Sequence, residues 1–517
     1  MRLQGNKLRT HITLITVMVL IVINVSTSFA IQVFGTGQFQ NQRSFDYINA
    51  ILYKDRHKNL DNETGQLAWG ASYAMMAYAY MYEATQEIRY LDTLEGYIEA
   101  VLSIRDSVVG KVDYRGLSLP GWGASGHYSI GYLELPDASG KPALAVRTAY
   151  TGSNNETLVE VLPGSSPDLF TLAVSNSANN LARTVFKDVS MDPNRPNYVV
   201  TVVERSSIAQ PFSAARLKVV DLESGAPPAP KTGYLEPPRY LWPVHQGMIT
   251  YPIVTYARFV YENPELSTDP DYVAKAERYV QAVEELMHAL EHEWRQNEAG
   301  EGWYIVAPGA PVWMDGIDEP FNHFLAVGRT MVQLAAVTGK AEWRDKAAAM
   351  ARTFKNDLRL TADDAYTWSY WWSKGWAYRG WAPEQQVSIN TPGLRGRPVA
   401  EDTSHGSIDV HFAYLCYKEG IVFDRTDMER FTRTFMNYMA DTVSAANNQT
   451  TLNIRVDGSG TKGDHDYIAR HWQLLAEFDP KVAVVFEQLY SRKTWAASAT
   501  DLLNSAIMNY LRSQGFF

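Results

Sequence analysis

The sequence predicts a mainly α protein, an (α/α) toroid or barrel of helical hairpins interrupted by a β-rich insertion. Three observations predict it. Helix–loop–helix units recur, with 21 residues from a landmark in the first helix (Trp69, Tyr251, Asn322) to its counterpart at the start of the second (Tyr90, Tyr272, Trp343), and Gly406 with Asp427 fits as a fourth copy. The first helix of each unit carries few charges and the second carries Glu, Lys and Arg, as inner and outer layers require. From about residue 140 to 225 the periodicity changes to short alternating runs bounded by Gly, Pro, Ser and Asn.

Taken in chain order, residues 1–30 read as a secretory signal. Arg2, Lys7 and Arg9 precede an apolar run over 12–25, and Ser28 and Ala30 occupy the small-residue cleavage positions. The run is short for a membrane span. Cleavage removes three basic and no acidic residues, taking the formal charge from −10 to −13, and the expected location is secreted or periplasmic. Residues 31–135 are the first part of the toroid. Residues 136–238 are the β-rich insertion and linker, with strands expected at 143–149, 158–162, 169–174, 198–203 and 216–220, closed by the Pro-rich stretch 226–238. Residues 239–517 are the main part of the toroid. An open α-solenoid is the alternative to a closed ring.

Composition narrows the partners. The chain has 517 residues, 46% of them hydrophobic and 20% charged, which excludes a disordered or disulfide-stapled protein. The negative charge argues against nucleic acid. Cys416 is the single cysteine, so no intramolecular disulfide and no cysteine-based metal site exists, and its apolar neighbours suggest a buried thiol.

Ring closure would gather the N-terminal ends of the inner helices, and with them Trp69, Tyr251, Asn322, His323 and His405, at one rim. The segment PFNHFLAVG (320–328) opens an inner helix, with Asn322 and His323 as a cap and a core histidine or as a site for a substrate carboxylate and a proton. In RLTADDAYTWSYWW (359–372), Tyr366 or Tyr370 suits an acid or base. Around it, residues 366–397 hold Trp368, Trp371, Trp372, Trp376 and Trp381 with Lys374, Arg379, Arg395 and Arg397 against one acid, Glu384. Aromatic faces and Arg forks suit an acidic sugar. In RPVAEDTSHGSIDVH (397–411), His405 and Asp409 are spaced i,i+4, with Asp402 three residues before. That pattern suits an oriented histidine base, or a divalent metal near Asp402, His405 and Asp409, although no metal is required. Asp402 or Thr403 is expected to cap the helix. His245, in YLWPVHQG (240–247), and His465, in GDHDYIARH (463–471), are further candidates for the cleft.

This combination resembles the (α/α)-toroid polysaccharide lyases, of which alginate lyases and heparinase-like lyases are the nearest comparison. The resemblance rests on the hairpin ring, Phe321-Asn322-His323, and the later Arg359, Tyr366 and Tyr370. It implies an exported enzyme acting on an anionic, uronate-containing polysaccharide by β-elimination. Asn322 and Arg359 would neutralise the carboxylate, and His323, His405, Tyr366 or Tyr370 would move protons. Trp69, His245, Tyr251, Trp371, Trp372, Arg379, Arg397 and Asp409 would contact substrate. The early insertion and the segment around His405 depart from that family. Two other readings stay open: a uronate C5-epimerase or a glycoside hydrolase on the same barrel, the latter using a carboxylate pair among Asp315, Asp318, Glu319, Glu401 and Asp402, and a non-catalytic glycan-binding protein.

Overall fold

The structure, a computed structural model, describes residues 41–50, 60–126, 128–148, 153–178, 180–209, 216–441, 450–492 and 498–516. The expected signal segment lies outside them. The protein is mainly helical. After the short α1 (Gln42–Ile48), capped by Asn41, a π turn at Leu67–Ala71 leads into α2 (Ser72–Thr85) and α3 (Ile88–Ser103). Beyond the insertion come α4 (Pro243–Glu262), α5 (Pro270–Ala289), α6 (Phe321–Thr338), α7 (Ala341–Asp357), α8 (Thr403–Lys418) and α9 (Arg425–Thr434). A 3₁₀ segment (Arg470–Glu477), α10 (Lys481–Arg492) and α11 (Ala499–Ser513) complete the helical part.

Two kinds of helix alternate. In α2 the run Ser72–Tyr82 is buried on every side, because small and apolar residues occupy the whole circumference. In α5 the buried positions form one stripe, Ala276, Tyr279, Val280, Val283, Leu286 and Met287, beneath a charged face. The buried elements pack in succession: α2 on α4, α4 on α6, α6 on α8, α8 on the 3₁₀ segment, that segment on α11, and α11 back on α2. The stripe helices lie against their own partners, α3 on α2, α5 on α4, α7 on α6 and α9 on α8. The tightest crossing is α4 on α6. A Cβ at Gly247 would stand 2.3 Å from the Val327 nitrogen and 2.4 Å from the Ala326 carbonyl carbon. The hydroxyls of Thr250 and Thr330 meet beside it at 2.9 Å.

The expected register fails in one place. Pro243 starts α4, eight residues before Tyr251, because proline supplies a ready first turn. Tyr251 therefore sits deep between the helices, with its hydroxyl 3.4 Å from His411 Nε2. Arg329, fully buried, donates to His411 Nδ1 at 3.2 Å, and His411 stacks on His471 at 3.7 Å. Burial holds both imidazoles well below their ordinary range and brings the Arg329 guanidinium down to about 10.

The insertion holds two antiparallel sheets, β1–β2–β6 and β5–β4–β3–β7. Its strands are β1 (Gly131–Pro136), β2 (Pro142–Thr148), β3 (Leu158–Pro163), β4 (Leu169–Asn176), β5 (Leu181–Ser190), β6 (Leu217–Asp221) and β7 (Lys231–Tyr234). Alternate residues, including Leu144, Val146, Leu217 and Val219 from one sheet and Val159, Val161, Leu172 and Val174 from the other, share one apolar core. Two expectations are corrected. The β-branched run expected as a strand at 198–203 is a short helix, Val199–Glu204, which buries Val199 and Val203 in that core. The Pro-rich stretch 226–238 carries β7, which pairs with β3 and completes the second sheet.

Candidate active site

The segments before α6 and α8 bring two histidine–carboxylate pairs together. Pro320 precedes α6, and the ring of His323 on its first turn reaches back to Glu319, which is almost fully buried. A carboxylate only accepts, so His323 Nδ1 donates to Glu319 Oε2 and Nε2 is left as the acceptor of the neutral ring. At α8, Asp402 is the N-cap: one oxygen accepts from the backbone of Ser404 (2.8 Å) and His405 (3.0 Å). Its other oxygen takes the His405 Nδ1 proton at 2.7 Å. Burial pushes the Asp402 carboxyl up, yet the His405 hydrogen bond and charge bring it down to about 2.

Tyr370 lies between the pairs. Its carbonyl accepts from the Phe321 backbone and its amide donates to Val399, which ties it to the approaches of both helices. Its ring meets His405 edge-on at 5.2 Å and Trp371 at 4.9 Å. Burial, and then the carboxyls of Glu401, Glu319, Asp402 and Asp409, push its phenol well up, so it is held protonated. No described residue hydrogen-bonds the Tyr370 hydroxyl.

Behind His405, Glu401 is fully buried and shares a hydrogen bond with Asp409, which also accepts from Trp368 Nε1 at 2.9 Å. Burial pushes both carboxyls up, Asp409 to about 7, so the pair retains a proton near neutrality. Glu401, Asp402 and His405 each offer one ligand atom within 4.8 Å of the others. This is the grouping with metal-ligand spacing among the described residues. It replaces the expected set, because Asp409 faces Glu401 and Trp368 instead.

Asn322 is corrected as a cap: it is fully buried, and both atoms of its amide lack a partner. His245 is buried beneath Trp69 (5.6 Å) and Tyr128 (4.6 Å). Burial, with the charge of His323, lowers its imidazole to about 3. Trp242 links this end to His323 at 6.1 Å. The structure thus joins Trp69, His245 and His323 through Tyr128 and Trp242, and joins Tyr370, Trp371 and His405, with Asn322 buried next to His323 in sequence.

Other expected residues fall elsewhere. Arg359 is exposed on a two-residue strand and donates to the Tyr378 hydroxyl, and Tyr366 donates to Asp427 at 2.7 Å beside Arg430. Their partners lie elsewhere, so the Arg–Tyr motif is not part of this grouping. Trp372 is buried against Trp303, Arg379 lies over Trp376, and Arg397 is exposed near Arg216. Tyr251 belongs to the deep cluster. Asp315 holds Ser388 and the Asn390 backbone, and Asp318 holds Trp303 and the Trp376 backbone.

Sequence reasoning missed three contributors. Arg470, in left-handed backbone at the start of the 3₁₀ segment, donates to the Tyr73 hydroxyl and to Ser404 Oγ (2.7 Å). Tyr128 lies in the segment before β1, and Trp242 is the residue before α4. The sequence signal for Arg470 was its place five residues after His465, whose Nδ1 lies 3.9 Å from Asp402.

No protein-family model matches the chain, and no curated protein matches it. Among solved structures, the crystal structure of a family 76 glycoside hydrolase from a bovine Bacteroides thetaiotaomicron strain is similar at 10% identity. The match covers 70% of this chain and 77% of that one, with a TM-score of 0.29. A likeness of that size does not establish a shared fold.

Proposed function

We propose that this protein is an exported carbohydrate-active enzyme that cleaves uronate-containing polysaccharide by β-elimination, on a helical part that forms an (α/α) toroid. The succession of helix contacts that returns to α2 supports the toroid. The observation that carries the chemistry is the His405–Asp402 pair set against the unpartnered hydroxyl of Tyr370.

In this reading the Asn322 amide donates to the substrate carboxylate and stabilises the negative charge that grows on it. His405 Nε2 takes the C5 proton, and the electron pair of that bond forms the C4–C5 double bond as the C4–O4 bond breaks. Tyr370, kept protonated by burial and carboxylates, gives its proton to the departing O4. The imidazolium of His405, against the Tyr370 ring, then returns a proton to the phenolate. The scheme calls for no metal. A divalent cation on Glu401, Asp402 and His405 is the competing use of that cluster, and EDTA distinguishes the two by sparing or stopping turnover.

The test is ultraviolet absorbance of the conjugated product on a panel of uronate polysaccharides. The expected result is a rise that disappears in Asn322→Ala and Tyr370→Phe. A glycoside hydrolase is the second reading, favoured by one observation: the buried carboxyls of Glu319 and Glu401 both act on Tyr370, and Glu319 keeps an oxygen without a partner among the described residues. It would yield reducing ends with no ultraviolet change. An epimerase would cleave nothing and exchange the C5 proton with solvent deuterium.

A further inference from the structure

We propose that the joint between the β-insertion and the helical body is a second binding site, for the oxygens of a sulfate or carboxylate group, held by Arg147, Lys218 and Arg216. This site is independent of the chemistry assigned to the cleft. Arg147 and Lys218 stand directly opposite each other across β2 and β6. Their neighbours Val146 and Val219 point into the insertion's core, so both cations point out toward the helical body. Like charges in that position oppose strand pairing, so the arrangement calls for an anion between them. Arg216 stacks over Trp313 at 4.9 Å.

The three cations line a cavity of about 20 Å³ together with Ile130, Thr148 and Asn390. That volume admits roughly one water-sized group, so the ligand inserts one or two oxygens and leaves its remainder in solvent. Among the described residues, neither Arg147 nor Lys218 meets a carboxylate at ion-pair distance. Asp315, the acid facing Arg147, already accepts from Ser388, Gly309 and Asn390, and Glu204 is the acid facing Lys218. Arg147 donates to the Asn390 side chain and Lys218 to its carbonyl at 2.8 Å, and each keeps further N–H groups for a ligand. Burial lowers the basicity of Arg147, Lys218 and Arg216, and Arg147 and Arg397 add to it at Lys218 and Arg216 respectively. An anion would relieve that crowding.

The experiment is calorimetric titration of the full chain with inorganic sulfate and, separately, with glucuronate, at low ionic strength. Lys218→Gln removes the charge and keeps a donor toward Asn390. Arg216→Gln removes a charge without touching the Asn390 bonds. Sulfate affinity should fall at least tenfold in each, with unchanged melting curves, while exposed Lys187→Gln binds as the wild type. If glucuronate shows the same sensitivity, the site takes the acidic group of a sugar; if only sulfate does, it takes a free inorganic anion. No titration by either probe, or titration of both variants as tightly as the wild type, overturns the proposal and leaves these cations as a docking contact to Asn390.

Discussion

Replacing Asp402 separates two functions that one side chain performs. One oxygen caps α8 through two backbone N–H groups and the other holds His405 Nδ1. Asp402→Asn keeps a carbonyl oxygen for the cap, and asparagine caps about as well as aspartate, so stability should move by no more than ~0.5 kcal/mol. The amide NH₂ then faces His405 Nδ1, which must accept, so the ring proton moves to Nε2. That nitrogen can no longer take a proton from substrate. Loss of an orienting carboxylate in comparable histidine catalysts costs up to about 10⁴ in turnover, and we expect a fall of roughly 10²- to 10⁴-fold here. Asp402→Ala loses the cap as well and should be destabilised by a further ~1 kcal/mol. Initial rates on the proposed uronate substrate, with calorimetric melting of both variants, measure the two effects. An Asp402→Asn enzyme within a few-fold of wild-type turnover would refute His405 as the base.

Three further outcomes follow from the packing and the titrating groups. Tyr366→Phe should lose about 1–2 kcal/mol with its Asp427 hydrogen bond and keep full turnover, whereas Tyr370→Phe should keep stability and lose turnover; paired melting and rate measurements check both. Gly247→Ala should lose about 3 kcal/mol or more in urea unfolding, since its Cβ meets the backbone of α6 rather than a side chain that can move. His245, His411 and His471 are neutral when folded and take up protons on unfolding, so their contribution is full above about pH 6.5 and falls as pH drops toward the folded values, near 3 for His245. Each adds a slope of about 1.4 kcal/mol per pH unit, opposed by Glu401 and Asp409, whose raised values favour the folded state as pH falls from about 7. His471→Gln should therefore flatten the acid limb of stability against pH by about one histidine's slope.

What was legible in the sequence follows from local rules. The Asn322 and His405 helices begin near their expected positions because proline and an acidic cap mark them, and Asp402 caps α8 as its position before Thr-Ser-His suggests. Cys416 is buried, as its apolar setting implied. Strands β3 and β4 follow their alternation closely. The misses are tertiary. Val199–Glu204 has the composition of a strand but packs as a helix on the insertion's core, and Tyr251 moved inward because Pro243 began its helix earlier. Arg359 and Tyr366 were assigned by a family pattern, and the structure gives them surface and packing partners. Arg470 reaches the site across a separation of 397 residues from Tyr73, which no local pattern encodes.

That separation has a consequence for biogenesis. Tyr73 stands on the first long helix, which packs against α11, while the residue that holds its hydroxyl comes almost at the end of the helical part. During synthesis the early hairpins emerge with an apolar flank that has nothing to cover it until residues 499–513 arrive. The loop to be closed is long, but closure entropy grows only logarithmically with length, so the cost is mainly one of time. Asn504 on that last helix accepts from the Arg470 backbone, so the support that Arg470 gives Ser404 is completed by the final docking event. A nascent chain would carry the side chains of the candidate site before it acquired their geometry.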